Sequence, residues 1–249
     1  MTRAAATMLI DPDRLTNWYD FQAPFYHLWR DRYDSMLVHR AARALDGAPQ
    51  RVLDAGCGTG LFAIGLARLC RQHIFTGLDR SAGMLAVGRR QARRFGLDNV
   101  SFQLGTVEKL PFPAGSYDTV LASGLMPNLN QPVQALREFA RVLRPGGRLL
   151  VVEFDRSSMT RLTRLFFRIM IAGYRIASAC CRRFRFAEGW SVRASTIDEE
   201  RFRDDLRAAG FAIHEVERLA SHLIVHCRLT NRTTSQSFPC AGAAPCGGP

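Results

Sequence analysis

The chain is nearly without lysine. Lys109 is the only one among 34 basic residues, so arginine carries almost all of the positive charge. No uninterrupted apolar run approaches the roughly 18–20 residues that a membrane-spanning helix requires. The N-terminal apolar stretch is too short for a secretory leader, and no internal repeat is visible. There is no Cys-x-x-Cys pair and no histidine spacing suited to zinc. The seven cysteines (Cys57, Cys70, Cys180, Cys181, Cys227, Cys240 and Cys246) are odd in number. These absences speak against a disulfide framework and a zinc module, and they predict reduced thiols in a cytoplasmic protein.

What is present is 249 residues, 47% of them hydrophobic, enough for one sizeable core and most simply one domain. The net charge of +12 suits an anionic membrane surface or nucleic acid. The densest information lies in Arg51-Val-Leu-Asp-Ala-Gly-Cys-Gly-Thr-Gly60. Val52 and Leu53 read as the end of a short strand, and Asp54 as the residue where it stops. Gly56, Gly58 and Gly60 make a turn that tolerates positive φ and close backbone approach. Leu61, Phe62, Ile64, Leu66 and Leu69 then follow with helical spacing. Strand, glycine turn and helix together form a nucleotide-binding arrangement. The spacing is Gly-x-Gly-x-Gly, not the dinucleotide Gly-x-Gly-x-x-Gly. An acid two residues before the first glycine gains nothing beside a pyrophosphate. It suits a ligand that carries a cationic amine.

Val-Leu-Asp-Ala-Gly-Cys-Gly-Thr-Gly resembles the first motif of the class I S-adenosylmethionine (SAM)-dependent methyltransferases. Further matches follow in order. A second strand, Ile74 to Leu78, ends in Asp79, which resembles the family's ribose-binding acid, and Ser81 reads as the cap of the next helix. A third strand, Val100 to Leu104, runs into Gly105-Thr-Val-Glu-Lys-Leu-Pro-Phe112. This is similar to the family's Gly-Asp-Ala-Glu-x-Leu-Pro-Phe, whose Asp meets the adenine amino group. Thr106 stands in for that Asp with a neutral acceptor, the weaker kind, and Glu108 is a nearby compensating acid. A fourth strand, Ser116 to Ser123, ends where methyl group and acceptor are expected. Asn128 reads either as an acceptor-orienting side chain or as the start of the next helix, Pro132 to Leu143. Leu143-Arg-Pro-Gly-Gly147 before the fifth strand, Leu149 to Phe154, is itself a family marker. From about Tyr19 to Phe154 the chain most resembles the ubiquinone/menaquinone-biosynthesis C-methyltransferase branch.

The resemblance implies a single α/β domain over 1–230, a Rossmann-like seven-stranded, mostly parallel sheet with an antiparallel last strand and helices on both faces. It implies SAM as cofactor, held by Asp54, Gly56, Cys57, Gly58, Thr59, Asp79, Arg80, Thr106, Val107, Ala122 and Ser123, with no metal. It names no catalytic residue. Tyr19-Asp20-x-x-Ala23-x-x-Tyr26 resembles the lid segment of small-molecule methyltransferases, within a helical region over 15–45, and His27 replaces its usual second Asp. The competing reading is an amphipathic helix that buries its aromatics. A helix from Ile197 to Ala209, capped by Thr196, precedes a hairpin of Phe211 to Leu219 and Ser221 to Leu229. His222 and His226 share a face there and read as surface residues without a third ligand. Residues 231–249 are polar, small and tail-like.

The insertion 157–190 is the chain's own addition. Within 160–186, Arg161, Arg164, Arg168, Arg175 and Arg182 fall on one helical stripe about 60° wide. Apolar residues cover much of the rest. Such helices lie in membrane interfaces, or they cap a pocket with the arginines in water. Nucleic acid ranks lower, because aliphatics rather than stacking aromatics interleave the charges. The expected function is methyl transfer from SAM to a small hydrophobic acceptor, a quinone precursor or lipid, at the inner face of the membrane. The alternatives are a phosphatidylethanolamine-type N-methyltransferase and a non-catalytic SAM-binding regulator.

Overall fold

The structure, a computed structural model, describes residues 13, 16, 17, 19, 20, 23, 36–45, 47–154, 199–219 and 222–230. The insertion 157–190, the tail 231–249, most of the 15–45 segment, Thr196 and the start of the helix expected from Ile197 lie outside these.

Seven strands form one sheet in the order β3-β2-β1-β4-β5-β7-β6. They are β1 (Arg51–Ala55), β2 (Ile74–Asp79), β3 (Val100–Leu104), β4 (Tyr117–Ser123), β5 (Leu143–Phe154), β6 (Phe211–Leu219) and β7 (His222–Leu229). The first five are parallel, and β7 pairs antiparallel with both β5 and β6. The helices are α1 (Leu61–Leu69), α2 (Ala82–Arg94), α3 (Pro132–Val142) and α4 (Glu199–Ala208). Central strands covered on both faces should be apolar throughout, and Val52, Leu53 and Ala55 of β1 are all fully buried. Alternation then sorts them. Leu53 and Ala55 join Leu136 and Phe139 of α3 and Phe202 and Leu206 of α4. Val52 joins Phe62 and Leu66 of α1 with Leu37 and Val38 of the helical stretch 36–43.

Among the described residues the expected strands and helices are present with small shifts at their ends, two of which matter for the site. β1 runs one residue past Asp54, to Ala55. β5 starts at Leu143 and not at Leu149, because Leu143 pairs with Tyr117 before the register shifts around Arg144–Gly147. Asp118 holds that excursion, pairing with the Arg144 guanidinium and accepting from Arg51 N at 2.6 Å.

Strand order reverses at β1: β2 and β3 lie on one side, β4 and β5 on the other. Open α/β sheets bind ligands at the carboxyl ends of strands at such a switch point. Gly60, at the helix start, has φ +75°, and a Cβ there would come within 2.5 Å of the Phe102 ring. Gly146 has φ +74° with open space around it. Gly146→Ala is expected to lose only the left-handed cost, about 1–2 kcal/mol. Gly60→Ala should lose about 1–3 kcal/mol more through overpacking. Urea denaturation of the two variants checks the difference.

Candidate cofactor and acceptor cleft

A cleft opens where β1 and β4 end. Its floor is the glycine turn. Gly56 N and Cys57 N both donate to Leu78 O, at 2.8 and 3.0 Å, which stitches the turn to β2. Asp79 completes it: Oδ2 accepts from Gly58 N at 2.8 Å and Oδ1 from Ser81 N at 2.9 Å. Ser81 caps α2 as expected, accepting from Met84 N at 3.0 Å.

Of the eleven residues expected at the cofactor site, Gly56, Gly58, Asp79, Arg80, Thr106, Val107 and Ser123 line this cleft. The other four do not. Asp54 is 2% exposed and sits beneath the turn, where Oδ2 accepts from Ala63 N at 3.1 Å and satisfies one of the open amides of α1. Ala122 is fully buried. Thr59 is 2% exposed, and its hydroxyl has no hydrogen-bond partner. Cys57 packs its sulfur against Gly77. Burial, with Asp54 and Asp79 nearby, pushes the Cys57 thiol well above its usual range. Burial likewise pushes Cys227 up to about 12. Neither is a thiolate nucleophile at neutral pH.

Residues named only tentatively by sequence, or not at all, complete the cleft. Glu108 lines it beside Thr106, as does Asn128, whose Nδ2 donates to Gly124 O at 2.9 Å. Asn128 belongs to a short 3₁₀ turn, Met126–Asn128, and the helix begins later, at Pro132. Met84, Leu125 and Leu129 give the cleft an apolar wall. Tyr19 also lines it, and Asp20 accepts from Ser81 Oγ at 2.5 Å and Gly83 N at 2.8 Å. The start of the lid-like segment is thus pinned to α2. Tyr26 and His27 lie outside the described residues.

The hairpin histidines differ from expectation. His222 is 5% exposed and stacks on Phe154 at 4.4 Å. His226 has carboxylate neighbours: its Nε2 lies 3.1 Å from Glu217, and Glu215, Glu217 and His226 gather within 4.8 Å. A bulge at Ile213/Glu215 sets Glu215 opposite His226, which periodicity alone does not reveal. Arg40 Nε holds Glu217 at 2.6 Å, and Arg43, Arg148 and Arg228 line the same cavity. The Arg40–Glu217 ion pair ties the hairpin to segment 36–43.

The cleft fits SAM chemically. Asp79 offers a carboxylate to vicinal hydroxyls. Arg80 Nε is buried without a hydrogen-bond partner and offers a donor. Met84 and Val107 offer apolar contact to a flat ring. The sheet order and the cleft are those of a class I methyltransferase.

Known proteins agree. The family model for a methyltransferase domain matches residues 52–147. The demethylmenaquinone methyltransferase of Clavibacter sepedonicus is 31% identical over 216 residues, 85% of each chain. The ubiquinone/menaquinone biosynthesis C-methyltransferase UbiE of Bdellovibrio bacteriovorus is 36% identical over 129 residues, 52% of each chain. The chain spans about half the length of several of the curated relatives it matches. The crystal structure of the [4+2]-cyclase SpnF shares the fold, with TM-score 0.69 at 20% identity over 90% of this chain and 98% of that one. The chain belongs to the family of SAM-dependent methyltransferases, with quinone-biosynthesis enzymes among its relatives, and SAM is its cofactor.

Burial raises the Asp79 pKa above the usual aspartate value, against the opposing pull of the Ser81 and Gly58 amides and Arg80. Hydroxyl donors prefer the carboxylate, so SAM affinity should fall as pH drops through this raised value. In the free protein the slope is opposite. The folded state binds the proton more tightly, so Asp79 withdraws stability as pH rises from the unfolded to the folded pKa. Charge-assisted hydrogen bonds contribute about 1.5–3 kcal/mol. Asp79→Ala is therefore expected to weaken SAM binding roughly ten- to hundredfold, and Asp79→Asn to flatten its acid-side pH dependence, both read by calorimetric titration.

Proposed function

We propose that this chain methylates a small hydrophobic acceptor, a quinone precursor in the first instance, at carbon. The observation that carries this reading is the two-sided cleft. Polar groups from the ends of β2 and β3 (Asp79, Arg80, Thr106) share it with Leu125 and Leu129, which follow β4. The names of the relatives, demethylmenaquinone and ubiquinone/menaquinone methyltransferases, support the acceptor class. SAM supplies an electrophilic methyl on a sulfonium. The chain supplies position. Asp79 and the glycine turn hold the polar end, while Leu125, Asn128 and Leu129 hold the acceptor end. Fixing two reactants in line accounts for about 7–11 kcal/mol of a barrier. The methyl–sulfur bond breaks to leave S-adenosylhomocysteine, and the proton displaced from the acceptor carbon passes to water, a step that a positioned base accelerates by about 10²–10⁴-fold.

A second reading is a SAM-binding protein that does not methylate. Thr106 favours it, because a neutral hydroxyl replaces the acid that grips adenine in the family. Contact of the basic segment 160–186 with an anionic leaflet belongs to the first reading, since a greasy acceptor must leave a membrane to reach the cleft.

Purified protein, methyl-labelled SAM and a total bacterial lipid extract separate the two. Label in the organic phase that is lost in Asp79→Ala is the expected result. SAM binding without label in any hydrophobic acceptor would overturn the first reading and leave the second.

A further inference from the structure

We propose that Glu153 is the positioning residue of the acceptor end of the cleft. The inference rests on the methyl-transfer reading above for its kinetic consequence, but not for its structural one. Glu153 stands near the end of β5, 2% exposed, paired with Leu223 of β7. Its Oε1 accepts from Leu125 N at 2.9 Å and from Met126 N at 2.8 Å. These amides open the 3₁₀ turn Met126–Asn128, and the first amides of such a turn have no partner within it. Water meets them in an exposed turn. Here Met126 is 5% exposed, so a buried acceptor must do so. A carboxylate oxygen accepts both and presents no donor to repel them.

The consequence reaches the cleft through Leu125. A Cβ on Gly56 would come within 2.6 Å of Leu125 Cδ1, so this side chain rests on the glycine turn itself. Gly124 N donates to Val152 O at 2.8 Å, and Asn128 Nδ2 returns to Gly124 O. Loop 124–129 is therefore held at one end by β5 backbone, at its centre by Glu153 and at its tip by Gly56. It contributes Gly124, Leu125, Asn128 and Leu129 to the cleft and follows β4, which lies on the other side of β1 from β2 and β3. Releasing the central hold should move the acceptor wall and leave the cofactor side in place.

The test compares Glu153→Ala, Glu153→Asp and Glu153→Gln with the full-length wild type. For Glu153→Ala, acceptor kcat/KM is expected to fall roughly ten- to hundredfold, while the SAM dissociation constant stays within about twofold. Glu153→Gln keeps an oxygen for the two amides and should recover most of the loss. Amide hydrogen exchange reads the same claim without turnover: protection should be lost at Leu125 and Met126 and kept across β1 and β2. If Glu153→Ala does not fold, Glu153→Asp, one methylene shorter, should give the same pattern. A parallel fall in SAM affinity, unchanged turnover, or exchange protection retained at Leu125 and Met126 would overturn the proposal. A wild type that methylates no hydrophobic acceptor sinks the functional reading instead, and hydrogen exchange still decides the clamp.

Discussion

The fold depends on carboxylates accepting from backbone amides that the chain leaves open. Asp79 is the central case. A turn with three glycines within five residues has little side-chain packing of its own, and its geometry is set by what its N–H groups find. Gly58 N finds Asp79, and Ser81 N finds the other oxygen of the same group. One side chain therefore fixes the glycine turn after β1 and the entry to α2 together. Asp54 does the same for the start of α1 through Ala63 N. Asp118 reaches Arg51 N at the start of β1, and Glu138 reaches Leu110 N in the loop after β3. Asp79, Asp118 and Glu138 each reach a segment more than twenty residues away, so these turns are set by contacts across the fold as well as by their own propensities.

This arrangement divides the acids of the cleft by role. Asp54 and Asp79 look equivalent in sequence, each near a strand end. Asp54 turns inward and is spent on the helix. Asp79 faces the cleft while its oxygens hold two amides, and its raised pKa shows that it is only partly compensated. A carboxylate in that condition gains from a further pair of donors. The same reasoning separates Glu108, at the cleft mouth, from Glu153, which is sealed in beneath loop 124–129.

Much of this was legible in the sequence because periodicity and turn chemistry pointed the same way. β2, β3 and β6 and the Ser81 cap follow from apolar spacing and one hydroxyl. What was not legible depended on contacts between distant segments. The extension of β5 back to Leu143 needs Tyr117 across the sheet. The inward turn of Asp54 needs the angle at which α1 leaves the glycines. The carboxylates beside His226 needed a bulge, since strict alternation gives no sign that Glu215 lies opposite it. The latch of Asp20 on α2 spans more than sixty residues and joins two motifs that were read separately.

A shared fold does not choose between chemistries, and a cyclase carries this one. The choice lies in the asymmetry of the cleft. The side built from β1, β2 and β3 is assembled from backbone amides, a glycine turn and an acid, features that recognise a nucleoside whatever the reaction. The side that follows β4 sets Leu125 and Leu129 beside Ser123 and Asn128, on a short loop held by Glu153 and by Val152 O. The two sides meet through a shared apolar seam, where Leu125 rests on Gly56 and Leu125, Met126 and Leu129 pack in one core with Leu78 and Val107. On the proposed methyl-transfer reading, acceptor specificity would follow residues 124–129, while Asp79 and the glycine turn would keep the cofactor half.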